Sequence, residues 1–226
     1  MIALLLGCAA NDPALVAHRG LGMLPDAEEN VPDHLVAALE GGFGAEVDLR
    51  VDGDGCAGDP ARAATEGCYD LGHTAPNGHT LAELAELVGA LPEAPAGPLF
   101  LDVVNDPDRA VTLTLLDWLG TVPFGTLPLI VQTSSAESLA MFDALRQEQG
   151  APEVMLGLTS FTNPEFTPPT GADLLVVNLA ELPVAPMPLP VAVYGVSTEH
   201  AWALAQTASS DVRWVITDLP GRFAGR

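Results

Sequence analysis

The residue types that could carry chemistry fall at the ends of short apolar runs. His18 and Arg19 directly follow the run ALVA. Glu46 and Asp48 lie two residues apart in the next β-rich run, and His73 ends the run after it. Imidazoles transfer protons near neutral pH, and carboxylates bind hard metal ions. The set is therefore typical of a site that combines acid–base chemistry with a bound metal.

The spacing of the two carboxylates indicates a metal site more directly. Side chains two residues apart on a strand share one face, so Glu46 and Asp48 point to the same place. Two carboxylates that meet in an apolar interior repel each other and need a cation, and oxygen ligands of this kind suit Mg²⁺ or Ca²⁺. Asp102, on the following predicted strand, is the expected third ligand, and Asn105 is the alternative.

The elements that must position these residues alternate between strand and helix along the whole chain. About eight β-rich runs separated by helical patterns predict a parallel sheet closed into a (β/α)₈ barrel, with a doubly wound open sheet as the alternative fold. Tyr69 to His73 is expected to return beside the second strand as a hairpin. The proline-rich segments 162–170 and 181–190 predict that some helices are shortened or missing. We find no linker that would divide residues 11–226, so these form one predicted domain.

Composition excludes some classes of partner. The formal net charge is −22, and all eight basic residues are arginine. Such a surface repels nucleic acid, so we expect no nucleic-acid partner. It also repels an anionic substrate unless a cation or a focused arginine lies at the site.

The three cysteines bear on location. Residues 1–10 (MIALLLGCAA) resemble a bacterial lipobox, in which Cys8 would carry the lipid that anchors the protein to the membrane of the cell envelope. The alternative is a buried first strand with a free thiol. Cys56 and Cys68 would then remain as a pair, and a disulfide between them would fit an oxidising compartment. Two free thiols in a cytoplasmic protein are the alternative.

Several segments, in order along the chain, resemble the sequence blocks of the glycerophosphodiester phosphodiesterases. They are the HRG signature at 18–20, the E-N segment at 29–31, the E-x-D block at 44–55, the histidine at 73 with the T-L-x-E-L helix at 80–84, and the closing I-T-D-x-P at 216–220. Together they cover nearly the whole chain.

The resemblance implies a (β/α)₈ barrel that hydrolyses a small glycerophosphodiester to an alcohol and glycerol phosphate. It implies that Glu46, Asp48 and a third carboxylate hold a divalent metal ion. His18 and His73 would act as general acid and base, and Arg19 would bind the phosphate. The resemblance adds Glu29 and Asn30 as supporting residues.

The chain departs from the family pattern at three places. Thr74 follows His73 where the family has aspartate, Asp102-Val103-Val104 replaces E-x-K, and Tyr194 begins the segment that is W-T-V-N in the family. Two alternatives stay open. A loop closed by Cys56 and Cys68 beside His73 would shape access to lipid, and it favours a related phosphodiesterase of the phospholipase or sphingomyelinase D kind that acts on intact lipids. The missing lysine and aspartate favour an inactive envelope lipoprotein that binds a ligand or partner.

Overall fold

A computed structural model of the chain describes residues 13–23, 28–51, 69–105, 107, 109–121, 124, 126–149, 153–160, 170–182, 188–208 and 211–224. The predicted lipobox around Cys8 and the predicted Cys56–Cys68 pair lie outside these ranges and stay predictions. Among the described residues, no helix combines the length and the apolar character needed to cross a bilayer.

The described residues form a closed barrel of parallel strands. Eight strands pair in the order β1-β9-β8-β7-β6-β5-β4-β2, and β2 pairs with β1 to close the ring. The ninth, β3, is antiparallel to the end of β2, so the predicted hairpin is confirmed. The strands are β1 (Ala14–Ala17), β2 (Gly44–Val51), β3 (Tyr69–Leu71), β4 (Leu99–Val103), β5 (Leu129–Thr133), β6 (Met155–Ser160), β7 (Leu174–Asn178), β8 (Val191–Tyr194) and β9 (Val212–Thr217). The predicted barrel is therefore confirmed over the doubly wound alternative.

Helices connect most of the strands. They are α1 (Pro32–Glu40), α2 (Leu81–Gly89), α3 (Arg109–Thr121), α4 (Ala136–Gln149), α5 (Glu199–Ala208) and α6 (Pro220–Phe223). Between β7 and β8, the described residues contain only a 3₁₀ turn at Leu179–Glu181, as expected for a proline-rich connection. The other connection predicted to be degraded, 162–170, lies almost entirely outside the described residues. Thr80 and Glu83 form the capping box that begins α2.

Two apolar layers hold the barrel together. The outer layer packs the helices on the barrel and includes Val47 and Leu49 of β2. The inner layer fills the barrel with residues of alternate strand positions, among them Val16, Phe100, Ile130, Leu174, Val176, Ala192, Trp214 and Ile216. Because successive residues of a strand face opposite sides, Glu46 and Asp48 face the interior of the barrel.

The loop after β1 meets the loop after β9 at a glycine. Gly22 has a φ of +77°, and a Cβ atom placed there would lie 2.2 Å from the carbonyl oxygen of Asp218. Only a residue without a side chain allows this approach. Gly22 therefore allows the loop after β1 to pack against the loop after β9 at the mouth of the barrel.

We expect Gly22→Ala to destabilise the protein clearly more than Gly42→Ala. Gly42 has a similar φ of +81°, but nothing lies within 4 Å of a Cβ atom placed there. The control should therefore cost only the backbone strain, about 1 kcal/mol, whereas Gly22→Ala adds a steric clash and should cost about 2 kcal/mol more. Urea denaturation measures both free energies of unfolding. Equal losses in the two variants would contradict the close contact at Gly22.

Candidate active site

Asp48 is the centre of the polar network at the carboxyl ends of the first strands. Its Oδ2 atom accepts a hydrogen bond of 2.9 Å from Asn30 Nδ2, and its backbone N–H donates to Asn30 Oδ1 at 2.8 Å. Arg19 Nε lies 2.7 Å from Oδ2 as an ion pair that lacks the alignment of a hydrogen bond. On the other side, His73 Nδ1 lies 3.1 Å from Oδ1. These partners compensate a carboxylate that is 1% exposed.

Asp48 shares its position with two further carboxylates. Glu46, Asp48 and Asp102 each offer an oxygen atom, and these atoms lie within 4.8 Å of one another. Burial, together with repulsion from Asp48 and Asp102, raises the pKa of Glu46 to about 8 despite the nearby His18. Burial and the charge of Asp48 raise the pKa of Asp102 to about 6. We refer to these residues as the carboxylate triad.

The carboxylate triad fits a divalent cation. Its donors are all hard oxygen atoms, which suits Mg²⁺ or Ca²⁺ better than a softer metal. The raised pKa values of Glu46 and Asp102 indicate that ionisation of all three carboxylates is unfavourable without a counter-ion. A cation between them would remove the repulsion and keep the carboxylates ionised. Because Asp102 completes the triad, the alternative ligand Asn105 is not needed for a third oxygen donor.

His18 lies between the carboxylate triad and Asp218, which follows β9. Its Nδ1 atom lies 2.6 Å from Asp218 Oδ1, and its Nε2 atom lies 3.9 Å from Glu46 Oε2. Burial lowers the pKa of His18, but the hydrogen bond to Asp218 and the charge of Glu46 outweigh it, so the pKa is raised. The same hydrogen bond lowers the pKa of Asp218. Asp218 therefore orients the ring so that Nε2 faces the triad.

Two residues of the site adopt an unusual backbone conformation. Arg19 and Asn30 have φ angles of 53° and 61°, in the left-handed region that non-glycine residues seldom occupy. The backbone N–H of Arg19 donates to Glu46 Oε2 at 3.0 Å, and that of Asn30 donates to the carbonyl of Arg19 at 2.9 Å. Arg19 Nη1 also donates to Glu29 Oε2 at 2.9 Å. The strained conformations of Arg19 and Asn30 thus accompany hydrogen bonds that these residues donate to Glu46 and Asp48. Backbone strain of this kind is common at functional sites.

The turn that carries His73 is tied to β2. Arg50 Nη1 donates to the carbonyl of His73 at 3.2 Å, and the backbone N–H of Gly72 donates to the carbonyl of Asp48 at 3.0 Å. Asn77 Nδ2 donates to the carbonyl of Asn30 at 3.0 Å and so links this turn to the loop that carries Glu29. These contacts hold the His73 ring over the triad although half of the side chain is exposed.

The structure brings the predicted site residues together, and it adds three that sequence reasoning did not assign. The added residues are Asp218, Asn77 and Gln132. Asp218 directly follows the last barrel strand, a position from which the sequence could have indicated a site residue. Gln132 is a polar residue near the end of the apolar strand LIVQT, which could also have indicated a role in the site. Asn77 precedes a glycine in a loop and is indistinguishable in the sequence from an ordinary turn residue.

Comparison with solved structures identifies the fold. The chain is similar to a protein from Galdieria sulphuraria assigned as a glycerophosphodiester phosphodiesterase (TM-score 0.66, 18% identity, 95% of this chain and 97% of that chain). It is also similar to a phosphodiesterase from Oleispira antarctica (0.64, 19%, 93% and 94%) and to a protein from Silicibacter pomeroyi assigned as a glycerophosphoryl diester phosphodiesterase (0.57, 16%, 95% and 92%). The chain shares the fold of these solved structures. The fold that the resemblance of its motifs implied is thus confirmed.

The comparisons by sequence add no further relatives. The chain matches no known protein-family profile, and no curated protein sequence matches it. With identities of 16–19% to the solved structures, the chain is a divergent form of this fold.

The carboxylate triad predicts how stability depends on pH and metal. In the folded protein the pKa of Glu46 rises from 4.5 to about 8, and that of Asp102 rises from 3.8 to about 6. Because these values are raised, the stability contribution is fully present below the unfolded values and is lost as pH rises through the folded ones. We expect the Tm of metal-free protein to fall as pH rises to about 8, and Mg²⁺ or Ca²⁺ to restore it.

Glu46→Gln provides the control, since it removes one charge and keeps the shape. Differential scanning calorimetry of this variant should show a weaker fall with pH and a weaker response to the cations. If the native protein shows no dependence on either cation at pH 8, the carboxylates do not form a metal site.

Proposed function

We propose that this chain is a metal-dependent phosphodiesterase that hydrolyses small glycerophosphodiesters to an alcohol and glycerol phosphate. One observation carries the proposal: His18, Arg19 and His73 surround the carboxylate triad, of which Glu46 and Asp48 are buried, at the mouth of the barrel. The fold shared with glycerophosphodiester phosphodiesterases supports it. The Oleispira antarctica structure contains the product sn-glycerol-3-phosphate, which supports a substrate of that size and chemistry.

The charges at the site explain why a cation is required. Arg19 is the only guanidinium that contacts the triad among the described residues, and it lies beside two of the site's carboxylates. An anionic phosphodiester would therefore be repelled from the site without added positive charge. A divalent ion, Mg²⁺ or Ca²⁺, held by Glu46, Asp48 and Asp102 would supply the Lewis acid that stabilises charge on the phosphoryl oxygens.

Both histidines have a carboxylate at Nδ1, Asp218 for His18 and Asp48 for His73. A hydrogen bond at Nδ1 fixes the tautomer and leaves Nε2 available for proton transfer. His18 turns Nε2 toward Glu46 of the triad, whereas His73 turns Nδ1 toward the triad, so its Nε2 lies on the other side of the ring. One ring can then accept the proton of the attacking hydroxyl group, which belongs to the neighbouring glycerol carbon or to water. The other ring donates a proton to the departing alkoxide.

Arg19 is the proposed phosphate-binding residue. A guanidinium carries five N–H donors, more than the contacts of Nε with Asp48 and of Nη1 with Glu29 use. The contact with Glu29 holds the plane of the group at the mouth of the barrel. An arginine oriented in this way can bind phosphate oxygens in a bidentate manner and stabilise the charge that accumulates on them.

We expect His18→Ala and His73→Ala each to lower kcat by about 100-fold or more, because each removes a proton-transfer group. Glycerophosphocholine or glycerophosphoglycerol with Mg²⁺ or Ca²⁺ is the assay, and release of glycerol phosphate is the measurement. His200→Ala is the matched control, since His200 is exposed on α5 and, among the described residues, has no hydrogen bond or ion pair with a site residue.

Chelation provides the second arm of this assay. Removal of divalent ions should abolish turnover, and their return should restore it. Absence of turnover on every phosphodiester tested with metal present would favour the inactive, ligand-binding alternative. Turnover of phospholipid vesicles that exceeds turnover of soluble glycerophosphodiesters would instead favour a phospholipase. The loop that favours the phospholipase alternative, predicted to be closed by Cys56 and Cys68, lies outside the described residues.

Asp218→Asn should lower kcat by about 10- to 100-fold with little change in KM, because the asparagine cannot hold the same His18 tautomer with a full charge. Asp117→Asn, an exposed carboxylate on α3, is the control for the loss of charge. A kcat that stays unchanged in Asp218→Asn would show that the contact is only structural.

A further inference from the structure

The side-chain amide of Asn77 joins two loops at the mouth of the barrel. Its Nδ2 atom donates to the carbonyl of Asn30 at 3.0 Å and to that of Glu29 at 3.3 Å. Its Oδ1 atom accepts from the backbone N–H of His79 at 3.1 Å. Because a carbonyl only accepts and a backbone N–H only donates, a single orientation of the amide satisfies all three contacts. Asn77 is exposed, so these contacts do not serve to satisfy a buried polar group.

The loop that carries His73 is closed at its base by the same residue. The backbone N–H of Asn77 donates to the carbonyl of Leu71, the last residue of β3, at 2.9 Å. Inside the loop, a Cβ atom placed on Gly72 would lie 2.2 Å from the carbonyl oxygen of Ala75. The loop 72–76 is therefore tight and closed, and a shift of Asn77 would be transmitted to His73 within it.

The second loop joined by Asn77 is the one that orients Asp48. Asn30 contacts Asp48 through both ends of its side-chain amide, and its Nδ2 atom donates to Oδ2. His73 Nδ1 contacts the other carboxylate oxygen, Oδ1. Each loop thus holds one oxygen atom of Asp48. The contact between Asn77 and Asn30 joins the two loops without using any atom of Asp48.

This independence from Asp48 becomes important when a cation lies at the triad. A cation would compete for the carboxylate oxygen atoms of Asp48 that contact Asn30 and His73. The bonds donated by the Asn77 side chain reach main-chain carbonyl groups only, so a cation at the triad leaves them intact. Asn77 can therefore keep the two loops together in the state in which the site works.

We propose that Asn77 is a positioning residue that fixes the place of His73 relative to Asn30 and Arg19 across Asp48. The inference rests on the proposed function for the role of His73 and deepens it by naming a residue that determines where that ring lies. Placement has a large effect on rate, since a displacement of about 1 Å can cost about 100-fold. Asn77 acts through His73 and not on the substrate itself.

The tautomer of His73 tests the proposal without any need for turnover. A carboxylate only accepts, so the contact with Asp48 holds the proton of the neutral ring on Nδ1. Long-range ¹H–¹⁵N NMR of the metal-free protein at pH 8 distinguishes the two tautomers. Asn77→Asp keeps the shape of the side chain but places a carboxylate oxygen against the two carbonyl groups that Nδ2 binds. We expect the His73 proton to move largely to Nε2, while His18, held by Asp218, keeps its native spectrum.

Turnover gives the second readout. With glycerophosphocholine and Mg²⁺, Asn77→Asp should lower kcat by about 10-fold and leave KM within about 2-fold, because Arg19 and the triad keep their own contacts. Gln149→Glu is the matched control, since it also replaces by a carboxylate an amide that donates to a main-chain carbonyl, here that of Leu113 on α3. It should change neither kcat nor the tautomer of His73.

Asn77→Ala removes the link without adding a charge, and it provides the same two readouts if Asn77→Asp does not fold. An unchanged tautomer of His73 in a folded variant would overturn the proposal. A loss of kcat without a change of tautomer would also overturn it, because the effect would then not act through His73. Absence of turnover in the native protein would instead contradict the proposed function, and the NMR result would stand apart from it.

Discussion

Three carboxylates, two of them buried and the third half-buried, repel one another at the mouth of the barrel, and the contacts of the site compensate this repulsion. Glu46, Asp48 and Asp102 reach the same point inside the mouth of the barrel, where burial raises the pKa of Glu46 and of Asp102. An unpaired charge in such a place is among the least favourable features of a folded protein. The chain surrounds Asp48 with Asn30, Arg19 and His73, and this arrangement uses the left-handed conformations of Arg19 and Asn30.

Under the proposed function, the same repulsion suggests how an acidic protein would bind an anionic substrate. The resembling family has a lysine at the position of Val104, and this chain contains no lysine. Among the described residues, the positively charged groups that contact the triad are Arg19 and, when protonated, the two histidines. Under the proposed function, a cation held by the triad would add the charge that these side chains do not provide. The carboxylates that would repel the substrate alone would then be the ligands that allow it to bind.

The sequence predicted the barrel and the inward-facing carboxylates because both follow from local periodicity. The alternation of β2 places Glu46 and Asp48 on one face, and the alternation of strands and helices indicates a closed parallel sheet. The contact between His18 and Asp218 has no local signal, since the two residues are brought together only by the pairing of β1 with β9.

Other features depend on side-chain detail that no pattern records. Arginine has no intrinsic preference for the left-handed backbone conformation that Arg19 adopts. This conformation accompanies the hydrogen bonds that Arg19 donates to Glu46 and Glu29. The link from Asn77 to Asn30 joins two loops that look ordinary in the sequence. Gln132 is a polar residue in an apolar strand, but its orientation follows from Asp102 on the neighbouring strand and could be determined only in three dimensions.

Under the proposed function, the carboxylate triad holds one divalent ion between the two histidines. A crystal structure of the protein soaked with Mn²⁺, which substitutes for Mg²⁺ and scatters anomalously, would locate that ion. We expect a single anomalous peak coordinated by Glu46, Asp48 and Asp102, with His18 and His73 on either side of it. Absence of a peak at the triad, or an ion bound elsewhere with the histidines facing away, would rule out this metal site.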